Sequence, residues 1–225
     1  MLASVVWPSV SGHTQSGSIR SSRPEEIEWK VRPAHPDFRL PNVLLVGDSI
    51  SRDYYPKVKR SLHDEAIVYL LATSASADDP SLSHQLAEFV AKENVRFHVV
   101  HFNKGMHGWE YSEDEHRRAF PAFFASIRAM DPGAALVWAS ATALMADAIG
   151  GATNVRVNAR NAIALAFMTE AHNTIDYQYA LMLEHLNTYQ DTEHFNEEGS
   201  QIQGRQVAKL IRALLRWAPN LAGLS

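Results

Sequence analysis

Short apolar runs alternate with stretches of helical period along most of this chain. Val43–Val46, Ile67–Leu71, Phe97–Phe102 and Ala134–Ala139 are the runs. Each has the length of a buried strand and lies between turn residues or polar segments. Between them, Leu82, Leu86, Phe89 and Val90 recur at helical spacing, as do Phe120, Phe123, Phe124 and Ile127. Val155 to about Glu170 reads as a further helix with Phe167, Met168 and Ala171 to one side. Val207, Leu210, Ile211, Leu214 and Leu215 define a last one. Strands that alternate with helices pack as a parallel sheet covered on both faces, so the expected class is α/β.

The chain is long enough for one such domain, and 46% apolar residues among 225 supply its core. A formal charge of −4 gives no nucleic-acid footprint. Absence of cysteine excludes disulfides, thiolate metal sites and a thiol nucleophile. No apolar run reaches the length that spans a bilayer, so no membrane partner is expected. Residues 1–24 read as a flexible arm rich in Ser, Gly and His, and residues 25–225 as a single domain with its core over about 41–217. Glu25 to Leu40, with Pro33 and Pro36, is expected to run extended over the domain surface. The short apolar patch of Met1–Val10 lacks a basic start and is interrupted by Pro8, which makes a poor secretory leader. The compartment stays open between cytoplasm and secretion with a leader removed.

The first run ends in Gly47-Asp48-Ser49, followed by a helix expected from about Arg52 to Leu62. Ser49 therefore stands at the carboxyl edge of the sheet, where open α/β sheets bind their ligands. The helix start offers backbone N–H groups and partial positive charge to a developing oxyanion. The plainer alternative is that Asp48 and Ser49 only cap the helix. Three further polar stretches should meet Ser49 at that edge: Ala72–Pro80, Asn103–Trp109 and Asp191–His194. Serine needs a base, and His194 is a candidate. Asp191, three residues earlier, can hold the other ring nitrogen and stabilise the imidazolium. The alternative makes Asp191 a turn residue and His194 a helix-start contact. Asn103 offers a side-chain amide to an oxyanion. His98, His101 and His107 raise a metal site, but strand positions three apart face opposite sides, so no metal is expected. Arg52, one turn beyond Ser49, is expected to be solvated or salt-bridged.

Together these residues resemble the SGNH/GDSL hydrolases, a family of serine esterases and lipases. Val46-Gly47-Asp48-Ser49-Ile50-Ser51 is similar to the first block of that family, Asn103 to the asparagine of its third, and Asp191-Thr192-Glu193-His194 to its last. The resemblance runs from about Pro41 to Trp217. It implies a flavodoxin-like three-layer α/β/α sandwich with a central parallel sheet, a Ser49-Asp191-His194 triad and no cofactor. It also implies an oxyanion hole made by the backbone N–H of Ser49, a second-block residue and Asn103.

The chain departs from the family in two places. Ala72–Pro80 contains no glycine, so Ser74 is the best match for the second block, with Ser76 next. Phe102 precedes Asn103 and Lys104 follows it, and the loop continues as Gly105-Met106-His107. His107 and Trp109 are candidate substrate-binding residues, since aromatic rings stack on sugar faces, although a tryptophan there can equally be packing. The expected activity is hydrolysis of short acyl esters, foremost acetyl, on a carbohydrate or another small molecule. A lipase, thioesterase or acyltransferase, or an inactive carbohydrate-binding relative, are the alternatives.

Overall fold

The computed structural model describes residues 28–217 except 35, 38 and 149, so the arm over residues 1–24 lies outside the described residues. In chain order the elements are β1 (Glu28–Val31), β2 (Asn42–Gly47), α1 (Ser49–Ser61), β3 (Ile67–Thr73), α2 (Pro80–Glu93), β4 (Val99–Phe102), α3 (Glu113–Met130), β5 (Ala135–Ala139), α4 (Asn154–Glu170), β6 (Thr174–Asp176), α5 (Gln178–Leu183) and α6 (Glu197–Trp217). A 3-10 turn, Leu186–Thr188, separates α5 from α6. The strands form one sheet in the order β1-β3-β2-β4-β5-β6. All pairs from β2 to β6 are parallel, while β1 adds antiparallel to β3. With β1 set aside and β2 counted as first, the order is 2-1-3-4-5, the flavodoxin-like topology.

Strand side chains alternate between two cores. Val43, Leu45, Val68, Leu70, Val99 and Val137 pack with Tyr54, Tyr55, Val58 and Leu62 of α1 and with Val207, Ala208 and Ile211 of α6. Leu44, Val46, Leu71, Val100, Phe102, Leu136 and Trp138 face the other way. They meet Leu82, Leu86 and Phe89 of α2, Phe120, Phe123 and Ile127 of α3, and Ala164 and Met168 of α4. Burial on both faces is why these strands read as continuous apolar runs rather than as alternations.

Two expectations are corrected. The segment Glu25–Leu40 does not simply cross the surface: its residues 28–31 form β1, with Glu28 opposite Thr73 and Val31 opposite Leu70. Trp29 and Val31 then pack on the α1–α6 side. The sheet is thus parallel with one antiparallel edge. At the other edge, β6 was not anticipated, because three residues with a single buried side chain leave no periodic signal. The helix after β2 begins at Ser49 itself, three residues before the expected Arg52.

Candidate active site

The turn after β2 is built for a residue with no side chain. A Cβ on Gly47 would stand 1.9 Å from Ser51 Oγ. Asp48, buried and extended (φ −129°, ψ −157°), is the N-cap of α1, and its Oδ1 accepts from the N–H of Ile50 at 3.1 Å. Ser49 follows as the first helical residue, half-buried, at the carboxyl edge of the sheet. The cap and the serine are compatible: the residue before Ser49 does the capping.

His194 reaches Ser49 from the loop before α6. Its Nε2 lies 2.8 Å from Ser49 Oγ. Its Nδ1 lies 3.0 and 3.1 Å from the two oxygens of Asp191. A carboxylate only accepts, so Nδ1 carries the proton and Nε2 is left to accept from the serine hydroxyl. Asp191 also accepts from the backbone N–H of Glu193 at 2.9 Å and of His194 at 2.8 Å. Burial opposes the charge of Asp191, but these hydrogen bonds and the ring outweigh it, and its pKa lies below the usual carboxylate value.

The loop that carries this pair is closed on itself. Gln190 N donates to His194 O at 2.9 Å, Tyr189 and Phe195 form a bridge, and their rings lie 4.4 Å apart. It is also tied to the loop after β5, through Met145 N to Thr192 O at 2.8 Å and the Tyr189 hydroxyl to Ala143 O at 2.5 Å. Met145 itself is exposed beside the Asp191–His194 segment.

The other expected residues come from the neighbouring strand ends. Ser74 is half-buried directly after β3, while Ser76 is buried beneath Gly108. Gly108 has φ +77°, and a Cβ there would meet Ser76 Oγ at 2.5 Å, so the two loops interlock. Asn103 is buried at the end of β4. Its Nδ2 donates to Ala139 O at 2.5 Å and its Oδ1 accepts from Gly105 N at 3.0 Å. One amide hydrogen thus braces the loop; the amide carries two.

His107 is half-buried and lies within electrostatic reach of Asp48 and His194. Burial pushes its pKa below the ordinary imidazole value, with Lys104 and His194 acting the same way and Asp48 and Glu110 opposing. Trp109 is turned toward α4, with the guanidinium of Arg160 4.4 Å and that of Arg156 5.4 Å from its ring centre. The same two arginines clamp the loop. Arg160, almost wholly buried, donates to the carbonyls of His107, Gly108 and Tyr111 at 2.7–2.9 Å. Arg156 donates to Trp109 O at 2.8 Å and Tyr111 O at 2.6 Å. Neither arginine was singled out from sequence; a charged residue among Val157, Ile163 and Ala164 was the signal that could have found Arg160.

The remaining candidates lie apart. His98 pairs with Asn42 at the opposite end of the sheet, its Nδ1 3.2 Å from Asn42 N. His101 is fully buried, its Nε2 2.9 Å from Asp176 Oδ2. Among the described residues no group of three or more His, Asp or Glu side chains is placed to hold a metal ion. Arg52 pairs with Asp53 at 2.9 Å and lies over the ring of Trp29 at 4.5 Å. No helix among the described residues is long and apolar enough to cross a membrane.

No protein-family model and no curated protein sequence matches the chain. Solved structures do. A GDSL-like lipase from Bacteroides thetaiotaomicron VPI-5482 superposes with a TM-score of 0.62 at 14% identity, over 80% of this chain and 92% of that one. An acetyl xylan esterase, AlAXEase, gives 0.58 at 14%, over 76% and 99%. A carbohydrate esterase of family 3 from Talaromyces cellulolyticus gives 0.56 at 12%, over 79% and 99%. At such identities the likeness is one of architecture. The chain has the α/β fold of the GDSL-like lipases and carbohydrate esterases.

Proposed function

We propose that this protein is a serine esterase of the SGNH/GDSL type that hydrolyses short acyl esters, foremost acetyl esters on a carbohydrate. The observation that carries the reading is the chain Ser49 Oγ–His194 Nε2 at 2.8 Å and His194 Nδ1–Asp191 at 3.0 Å. Ser49 Oγ attacks the ester carbonyl carbon as His194 Nε2 takes the hydroxyl proton. The carbonyl π electrons move onto oxygen, which meets the N–H of Ser49 at the α1 start, that of Ser74 and the Asn103 amide. Collapse re-forms the carbonyl, breaks the bond to the alkoxy oxygen, and His194 returns the proton to the leaving alcohol. Water then attacks the acyl-Ser49 ester by the same steps in reverse, and the acid departs. Asp191 holds the ring and offsets its charge while it carries the extra proton. No cofactor enters this cycle.

The acetyl-carbohydrate half is supported by the fold shared with an acetyl xylan esterase and a family 3 carbohydrate esterase. His107, beside His194, is the residue best placed to meet the alcohol part of the substrate. Trp109 contributes as the arginine-backed wall behind it. The test is hydrolysis of p-nitrophenyl acetate, butyrate and octanoate beside a panel of acetylated sugars, for wild type and Ser49→Ala. Ser49-dependent turnover that is highest on acetates supports the proposal. Highest turnover on octanoate would move the substrate to lipids, and no turnover at all would leave a binding protein.

A further inference from the structure

A lysine is the unexpected residue under the site. Lys104 follows Asn103 at the end of β4, and its side chain is buried, with only 3% of the residue exposed. Its Nζ donates to the carbonyl of Gly47 at 3.0 Å and also to the carbonyl of Thr73. Those two carbonyls end adjacent parallel strands, since Gly47 pairs in register with Ala72. One lies two residues ahead of Ser49. The other belongs to the same peptide group as the N–H of Ser74.

Burial of an ammonium is costly, and a methionine would fill the same path at lower cost. A lysine here is explained by what its charge does. A cation on a carbonyl oxygen draws electron density through the peptide, so the N–H of the same group becomes a stronger donor. Here that N–H is Ser74, on the loop that has no glycine between Ala72 and Pro80. The two bonds also fix the spacing between the turn that carries Ser49 and the turn that carries Ser74. The charge reaches the mouth of the site as well, since it acts with burial to lower the pKa of His107.

We propose that Lys104 is a positioning residue for the oxyanion hole: its buried ammonium joins the Gly47 and Thr73 carbonyls, and so aims and polarises the Ser74 N–H toward the acyl oxygen. This rests on the esterase reading above. The effect belongs to the transition state, where the acyl oxygen is charged, more than to substrate binding.

Lys104→Met keeps the unbranched side chain to Cε and removes the ammonium. On p-nitrophenyl acetate it should lower kcat by about 10–100-fold, part of the loss known for outright removal of an oxyanion donor, with KM within about twofold. Affinity for a phenylboronic acid, which forms a tetrahedral adduct on a serine oxygen, should fall by a similar factor. Both are read on protein that melts cooperatively. Should Lys104→Met fail to fold, Lys104→Cys offers a second route, because the chain has no other thiol. Alkylated while unfolded with bromoethylamine or with bromoethanol, then refolded, it restores a near-lysine chain with or without charge. The charged adduct should exceed the neutral one at least about tenfold in kcat at equal KM. Equal kcat for the two adducts, a kcat for Lys104→Met within twofold of wild type, or unchanged boronate affinity would overturn the proposal. Activity that survives Ser49→Ala would overturn the esterase reading and this inference together.

Discussion

Asn103 has two tasks in the proposed mechanism, both carried by one amide. Nδ2 and Oδ1 brace the loops after β4 and β5 through Ala139 O and Gly105 N, and the second Nδ2 hydrogen is the oxyanion donor of the proposed mechanism. Asn103→Ala should therefore lower kcat by about 10²–10³-fold with little change in KM, and lower the melting temperature as well, because Gly105 N and Ala139 O lose their partner. A fall in melting temperature with kcat unchanged in the folded fraction would remove Asn103 from the mechanism. Glu193 tests the electrostatics beside His194 and Asp191. Burial pushes its pKa above the usual glutamate value, Asp191 and Asp48 add to the rise, and His194 opposes it. An acid whose pKa rises on folding costs nothing below its unfolded value of about 4.3. The cost grows as pH climbs to the raised folded value and is constant above it. Glu193→Gln should then raise the melting temperature at pH 7–8 and leave it nearly unchanged near pH 3.5, as read by calorimetry at both values. A gain at the acid end only would reverse the assigned sign.

At the scale of elements, what was readable in the sequence depended on burial. β2, β3, β4 and β5 have interior positions on two faces and stand out as apolar runs. β1, with Glu28 and Lys30, and β6, with one buried residue, lie at the sheet edges and have no such pattern. The loss of β6 had a consequence at residue level. His101 could be weighed only as a metal ligand, because Asp176, its partner, arrives from a strand 75 positions later. The loop clamp was hidden for the same reason: Arg156 and Arg160 act on carbonyls about fifty positions earlier in the chain, and backbone acceptors carry no sequence signature. Arg160→Met would leave the His107 and Gly108 carbonyls without their charged donor and Tyr111 O with Arg156 alone, at a cost of about 3 kcal/mol. At roughly 2–4 °C per kcal/mol for a domain of this size, the melting temperature should fall by about 6–12 °C. KM should rise as His107 loses its fixed place. An unchanged melt would mean that the clamp contributes nothing to the loop.

Across the whole molecule, the topology turns four distant sequence segments into one edge. Parallel strands carry every loop that leaves a strand to the same end of the sheet, so Ser49, Ser74 and Asn103 gather there from β2, β3 and β4. The loop before α6 then brings His194 within 2.8 Å of Ser49, 145 positions away. That convergence was legible in advance because it follows from strand order and short motifs. The orientation of Trp109 toward Arg160 and the bonds of Lys104 were not, since both depend on packing between loops. In the proposed mechanism Ser49 is a nucleophile activated by His194 and Asp191. A fluorophosphonate probe followed by peptide mass spectrometry tests it directly. Wild type should gain one adduct, on the peptide that contains Ser49. Ser49→Ala should gain none, and His194→Ala should react at least about 10³-fold more slowly, in step with its loss of p-nitrophenyl acetate turnover. Labelling at another residue, or wild-type labelling rates in His194→Ala, would contradict the account.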